Sequence, residues 1–331
     1  MEEIEQTLYV KRRRRWRKWL DIPLGGHVER FWNAGSSSTT AKAANGRRGC
    51  NVCAGGVGDA ASRACVACMA EAADAGRIRF RFELRPLAHV RPWGRERRTL
   101  HWFGLTDGWY WIDLNGHELL RYSDQTVRRR QADGYEGLPY ADYYVVRLWE
   151  DLLQLLPAVL EPVPTDLVPF IEAGSTTWAE RGEHEEDFTA EIWYGDRVLD
   201  VGYLRNAPVI RWWRTIMNGA DAVTLDWRNR SCEKDVDVTF ADPVRGRLVL
   251  TTEEFVDAVR DLDRDLMAAM HERITLLEER RVVLPDVELD LVALRAEHHD
   301  RATWLPQALD RRVGSDWRAV RAGAAVLRRS S

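Results

Sequence analysis

Lysine is scarce in this chain, and the familiar catalytic signatures are missing from it. Only four of the 48 basic residues are Lys, and Lys234 is the only one of them beyond residue 68. Mechanisms that need a catalytic Lys, including pyridoxal phosphate chemistry, are therefore disfavoured for the main body. The chain also has no P-loop, no G-x-S-x-G elbow and no H-E-x-x-H pair. Together these absences favour a binding protein over an enzyme.

Long apolar runs are absent as well. No uninterrupted run approaches the roughly 20 residues of a membrane-spanning helix. The basic start of the chain is not followed by the apolar stretch of a signal peptide. Four of the five Cys occur in C-x-x-C pairs, which suits a reducing compartment better than a disulfide framework. We therefore expect a cytoplasmic protein with no membrane span.

Charge divides the chain into two parts. Residues 1–68 carry 12 basic and 6 acidic residues, whereas residues 69–331 carry 36 basic and 46 acidic residues. An acidic body disfavours nucleic-acid binding, because phosphate contacts need a basic surface. The basic run Lys11–Lys18 is the exception, and it predicts binding to nucleic acid or an anionic membrane if the segment is translated.

The pattern predicts three segments. Residues 1–76 are basic and rich in Gly, Ala and Cys, and residues 33–68 among them contain too few large apolar side chains to offset the entropy of ordering that stretch. We expect this extension to be disordered, weakly folded or not native. Met69 would also serve as a translation start for everything that follows. Residues 77–323 are predicted to form a single α+β domain, and residues 324–331 a frayed tail.

Four cysteines of the extension are spaced like metal ligands. Cys50 and Cys53 form one C-x-x-C pair, and Cys65 and Cys68 form a second pair eleven residues later. Four thiolates suit a tetrahedral structural zinc and leave no open position for a substrate. The gap is shorter than is usual for such sites, so a chance pattern stays the alternative. We expect no other cofactor.

Two groups of β-strands are expected in the main body. In the first group, Asn115-Gly116 separates two apolar runs, which is the strongest short signal of a β-hairpin. Gly195-Asp196 resembles a second such turn. The predicted strands are 78–84, 99–103, 108–114, 117–122, 190–194, 197–203, 209–214, 222–227, 236–240 and 247–250.

Two or three long helices are expected to pack on a largely antiparallel sheet. Residues 140–156 show an apolar stripe that Pro157 should kink or end. A capping box formed by Thr251 and Glu254 opens a helix that the apolar spacing extends for nearly thirty residues. The last helix is predicted over 290–310, with a bend at Pro306.

The densest aromatic cluster supplies candidate binding residues, which are Trp102, Trp109, Tyr110 and Trp111. In a strand, Trp109 and Trp111 share one face and Tyr110 takes the other, so at least one face is expected to be core. Exposed Trp and Tyr carry much of the energy at protein interfaces. Weak catalytic candidates are Asp107, Asp113, Glu297, His298 and Asp300, whose simpler interpretation is turn capping or surface polarity.

Several segments of the main body resemble a family of uncharacterised bacterial proteins. The resemblance covers residues 77–323 and rests on FELRPL (82–87), HWFGLTDGWYWIDL (101–114), DYYVVRLWEDLL (142–153), GYLRNAP (202–208) and EHHDRATWL (297–305). It implies that 77–323 is one unit and that the cysteine-rich extension lies outside it. It implies no activity and no catalytic residues.

Three functions remain open from the sequence. The leading one is a cytoplasmic binding or regulatory protein that engages a macromolecular partner, because the body is acidic, rich in aromatics and without a recognised catalytic set. The second is an enzyme whose Asp, Glu and His candidates meet in space. The third is a zinc-stabilised nucleic-acid binder that uses residues 1–68.

Overall fold

The computed structural model describes residues 78–94, 98–178, 185–229, 238–282, 284 and 286–328. All of these residues belong to one of the two units into which the chain divides, residues 75–331. The predicted extension, its four cysteines and its basic run lie outside the described residues. Within the described ranges, helices combine with antiparallel sheets, which confirms the predicted α+β class.

The described strands form two antiparallel sheets and one short parallel pair. They are β1 (Ile78–Leu84), β2 (Arg98–Thr99), β3 (Asp107–Leu114), β4 (His117–Leu119), β5 (Ala141–Tyr144), β6 (Val209–Met217), β7 (Ala220–Arg228), β8 (Arg245–Thr251) and β9 (Val287–Glu288). The first sheet contains β1, β3, β4 and β5, and the second contains β6, β7 and β8 in that order. Strands β2 and β9 pair in parallel.

Strand β3 is the centre of the first sheet. Along one edge it pairs antiparallel with the whole of β1, and along the other it pairs with β4 at one end and β5 at the other. The predicted hairpin is confirmed, because Asn115 and Gly116 connect β3 to β4 with positive φ angles of 53° and 89°. Residues that tolerate this conformation at low cost are the ones that a type I′ turn requires.

The described helices cover the sheets. They are α1 (Asp124–Ala132), α2 (Val145–Leu160), α3 (Val168–Ala173), α4 (Glu185–Gly195), α5 (Thr252–Glu278), α6 (Leu291–Arg301), α7 (Trp304–Asp310) and α8 (Trp317–Leu327). Helix α5 starts at the predicted capping box and buries the predicted stripe. None of these described helices combines the length and the apolar character needed to cross a bilayer.

Two adjacent tryptophans of β6 join the two apolar cores. Trp212 is fully buried and lies 6.2 Å from Phe80 of β1 and 5.1 Å from Phe255 of α5, measured between ring centroids. Trp213 points to the opposite face of the strand, as alternation requires, and belongs to a second core with residues of α3, α4 and α8. The main core therefore spans both sheets, and the second lies behind β6.

One predicted strand is a helix. Residues 190–194 are predicted to form a strand before a turn at 195–196, but they lie in α4. Ala190, Trp193 and Tyr194 are buried in the second core, and their spacing of three and four places them on one helical face. The prediction was wrong because a short aromatic run suits either structure, and tertiary packing decides between them.

Other predicted strands and helices have different boundaries in the structure. Residues 99–103 contribute only Thr99 to a strand, and the 197–203 segment forms a single bridge at Val198. Residues 141–144 are strand, so the helix begins at Val145, and it continues past Pro157 to Leu160. Its last turn is buried, and this packing compensates for the missing N–H of proline.

The C-terminal region also differs from expectation. The predicted helix 290–310 is broken at Ala302 and Thr303, so that Pro306 lies in the first turn of α7, where its missing N–H costs little. Residues 324–327 belong to α8 and bury Ala324 and Leu327. They are thus part of the packed structure and not of a frayed tail.

The cap of α5 gives a direct test of the fold. Thr251 accepts a hydrogen bond from the Glu254 backbone N–H at 3.1 Å, and the Glu254 carboxylate accepts one from the Thr251 backbone at 2.8 Å. We expect Thr251→Ala to lower the free energy of unfolding by about 1 kcal/mol and Thr251→Ser to leave it nearly unchanged. Urea titrations of both variants check this. Equal stability of the two would contradict the cap.

Candidate functional site

The outer face of the first sheet carries most of the predicted aromatic and acidic residues. We define this outer face by the side chains that alternate away from the core along β1 and β3, with their neighbours at and before β5. They are Arg79, Arg81, Glu83, Arg85, Asp107, Trp109, Trp111, Asp113, Tyr140 and Asp142. Its residues face one another across the strands, because opposite positions of paired strands share a face.

One end of the outer face is closed by an ionic cluster. Arg85 contacts Asp107 (Nε to Oδ2, 3.2 Å) and Asp142 (Nη2 to Oδ1, 2.7 Å). Its guanidinium also lies 4.3 Å from the centre of the Trp109 ring. Burial raises the pKa of Asp107, and the neighbouring Arg85 guanidinium partly offsets that rise. A single arginine thus forms ion pairs with two carboxylates and covers an indole.

Helix α1 and the loop after it complete this closed end. Arg130 of α1 contacts Asp142 (Nη2 to Oδ2, 3.1 Å) and lies 3.7 Å from the Tyr135 ring centre. The Tyr135 hydroxyl accepts a hydrogen bond of 2.6 Å from the Trp109 indole N–H. Only 7% of Trp109 is exposed as a result. Trp109 is therefore held in place by side chains of its own chain and offers little surface to a partner.

The other end of the outer face is open. Trp111 is half-buried and stacks on Tyr140, with ring centres 4.0 Å apart and planes within 12°. The Tyr140 hydroxyl donates to Glu118 at 2.8 Å. Partial burial and this hydrogen bond raise the pKa of Tyr140 to about 12. These contacts order the stacked pair, and the Tyr140 hydroxyl stays protonated at physiological pH.

Two exposed arginines flank the stacked pair. Arg81 lies directly across from Trp111 in the strand register, and Arg79 lies across from Asp113. Neither arginine forms an ion pair with any residue in the described ranges. They differ in this from Arg85, which follows directly after the same strand. The open end therefore combines a stacked aromatic pair with two guanidinium groups that form no ion pair among the described residues.

Two of the four predicted binding residues are core residues. Trp102 and Tyr110 have no exposed surface. The Tyr110 hydroxyl donates to that of Tyr203 at 3.0 Å, and burial raises the pKa of both phenols well above their usual value. These residues cannot touch a partner in the described conformation. Of the four, Trp111 is the one that combines accessible surface with a position on the outer face.

Three of the predicted catalytic residues lie together on α6. Glu297 contacts the Arg301 guanidinium at 2.9 Å, and Asp300 accepts from the Trp304 indole at 3.0 Å. His298 accepts from the Trp102 indole through Nδ1 at 3.3 Å. Burial, with the neighbouring His271 and Arg295, lowers the pKa of His298. A neutral imidazole agrees with its role as acceptor here.

Arg301 is the centre of this α6 cluster. It is 7% exposed and contacts Glu150 of α2 at 2.8 Å in addition to Glu297. Its guanidinium lies 4.5 Å from the Trp102 ring centre and 4.7 Å from that of Trp304. These contacts bind α6 and α7 to α2. The Arg301 guanidinium is thus paired with carboxylates of the same chain and needs no ligand as a partner.

The five predicted catalytic residues do not meet. Asp107 and Asp113 are six positions apart on β3, about 20 Å in an extended strand, and Asp113 accepts from the Gly116 backbone N–H in the turn. Within the described ranges, no group of three or more His, Cys, Asp or Glu side chains is placed to hold a metal ion.

Comparison with known proteins gives a family for the chain. Residues 79–323 match the model of a family of unknown function, DUF5984. The chain belongs to this family. No curated protein and no solved structure matches it. The match begins within β1 and ends within α8, so the DUF5984 region contains both the outer face and the α6 cluster.

Sequence reasoning missed several residues of this DUF5984 domain that shape the outer face. Arg85 continues the charged alternation of 79, 81 and 83, so the period of two could have placed it on this face. Tyr135 and Asp142 reach the site through the packing of α1 and the pairing of β5 with β3. No local pattern indicates those two.

The closed end predicts a difference in stability effect between Arg85, directly after β1, and Arg79 within β1. Arg85→Met removes the ion-pair partner of Asp107 and one of the two partners of Asp142, so we expect the free energy of unfolding to fall by about 2 kcal/mol. The control Arg79→Met removes an exposed arginine without an ion pair, and its effect should stay within about 0.5 kcal/mol. Urea unfolding measures both. Equal effects would show that the cluster does not stabilise the sheet.

Proposed function

We propose that this protein binds a macromolecular partner, a protein, through the open end of the outer face. The observation that carries the proposal is the stacked Trp111–Tyr140 pair beside Arg79 and Arg81, which have no ion-pair partner among the described residues. Trp, Tyr and Arg are the residue types that contribute most to protein interfaces.

The rigidity of the open end supports a binding role. Tyr140 is held by its hydrogen bond to Glu118, and Trp111 by stacking on Tyr140. Side chains that are already ordered lose little conformational entropy when a partner covers them. The neighbouring closed end adds support, because its ion pairs hold β1 and β3 in register beneath the surface. The arrangement is a preformed contact surface.

The charges indicate the class of partner. Arg79 and Arg81 suit carboxylates of an acidic protein surface. Nucleic acid is less well suited, because Glu83, Asp113 and Glu118 share the same face and residues 69–331 carry a net negative charge. The proposal places the interaction in the cytoplasm, in agreement with the cysteine usage of the chain.

The other two functions have less support. An enzyme built on Asp107, Asp113, Glu297, His298 and Asp300 lacks a shared site, since two of them mark opposite ends of β3 and three lie on α6. A zinc-stabilised nucleic-acid binder depends on Cys50, Cys53, Cys65, Cys68 and Lys11–Lys18, which lie outside the described residues.

Charge reversal at the open end tests the proposal. We expect wild-type full-length protein to retain a partner from its native lysate and Arg81→Glu to retain at least about tenfold less of it, as for loss of an interface hot spot. Arg260→Glu is the matched control, because Arg260 is an exposed arginine on α5, which packs against the opposite side of the sheet. Quantitative mass spectrometry of the three eluates gives the comparison.

The partner identified in this way is then purified and titrated against the three proteins. A Kd that rises with Arg81→Glu and not with Arg260→Glu supports the proposal. Equal retention by all three would contradict it. So would retention that disappears after nuclease treatment, because the bound species would then be nucleic acid.

A further inference from the structure

A groove lies between strand β1 and helix α5, on the side of the sheet opposite to the outer face. Its walls are mostly apolar and are formed by Phe82 and Leu84 of β1 with Leu276 and Val282. The cavity has a volume of about 360 Å³, at the low end of the range for small-molecule sites. In size and lining, the groove suits a small molecule with an apolar part.

A buried arginine borders this groove. Arg273 of α5 is 8% exposed. Its Nη1 donates to the Leu105 carbonyl at 2.6 Å, and its Nη2 donates to the Arg85 carbonyl. A guanidinium has five N–H donors, and the remaining three have no acceptor among the described residues.

Arg273 differs from the other two buried arginines of the described chain. Arg197 contacts Glu161 at 3.1 Å, and Arg301 contacts Glu150 and Glu297. Arg273 has no carboxylate within ion-pair distance. Burial lowers the pKa of Arg273 to about 10, and the nearby carboxylates of Asp107 and Glu272 offset only part of that fall. A buried cation is normally paired, so the missing anion needs an explanation.

We propose that the groove binds a small carboxylic acid with an apolar chain, whose carboxylate pairs with Arg273. The carboxylate would accept the unused N–H donors of the guanidinium, whose planar geometry matches it. The chain would lie against Phe82, Leu84, Leu276 and Val282 and leave water. The carboxylate of this ligand would be the ion-pair partner that Arg273 lacks. Its apolar chain would cover the apolar groove walls.

The neighbouring Glu272 limits the ligand further. Its carboxylate is exposed and lines the same groove. The groove lining holds one guanidinium and one carboxylate, so the second negative charge of a dianion such as a phosphate monoester would have no cation there to pair with. The inference therefore commits to a single negative charge. It does not rest on the protein partner proposed above, because it concerns the opposite side of the sheet.

The test is calorimetric titration of the full chain with three probes. Octanoate has the charge and the chain, octanamide has the chain without the charge, and acetate has the charge without the chain. We expect octanoate to bind at least about tenfold more tightly than either of the other two, because only octanoate satisfies both the arginine and the apolar walls.

Two variants identify the groove as the place of binding. Ala269 is half-buried in the groove wall, and Ala269→Phe should fill the cavity and weaken octanoate binding at least about tenfold while Arg273 is retained. Glu272→Gln should strengthen it a few-fold, because a repelling charge is removed. Thermal unfolding of each variant shows that the fold is intact.

Three results would overturn the inference. The first is no octanoate binding at millimolar concentration. The second is equal binding of octanoate and octanamide, which would show that Arg273 does not hold the carboxylate. The third is unchanged octanoate binding by a folded Ala269→Phe, which would place the site elsewhere.

Discussion

The alternation of side chains along β3 is the constraint on which the rest of the domain depends. This strand pairs with every other strand of the first sheet, and it places Tyr110 and Ile112 in the core and Trp109 and Trp111 on the outer face. A shift of one residue in the register would exchange these two sets. The turn at Asn115-Gly116 and the ion pairs of Arg85 both fix the register. The binding surface thus depends on the same contacts that hold the sheet together.

Arginine replaces lysine almost throughout the chain, and its geometry is used inside the fold. Arg85 bridges two carboxylates and covers Trp109, while Arg301 joins two carboxylates and two indoles. A planar group with several donors can do this, whereas an ammonium cannot. The groove and the closed end of the outer face meet at one position, because the Arg85 backbone carbonyl accepts from Arg273 on the groove side and its side chain lies on the outer face.

The sequence was sufficient to predict elements whose signals lie in a few adjacent residues. It was not sufficient where contacts between residues far apart in the chain decide the local structure. The Asn-Gly hairpin and the capping box of α5 were predicted because turn and cap chemistry resides in a few adjacent residues. Residues 190–194 were misassigned, since the second core that makes them helical is built from α3, α8 and Trp213, distant in sequence. Among the aromatic candidates, the alternation of side chains along a strand assigned Trp109 and Trp111 to one face and Tyr110 to the other. Only the structure shows that Tyr135 closes over Trp109 and leaves Trp111 accessible.

The most direct test of the outer face is hydroxyl-radical footprinting of the full chain, read residue by residue by mass spectrometry. The structure predicts that Trp111 and Tyr140 are oxidised faster than Trp102, Trp109 and Tyr110, because only the first two are appreciably exposed. Rapid oxidation of Tyr110 with protection of Trp111 would show that β3 presents the opposite face to solvent. The proposed binding surface would then not exist.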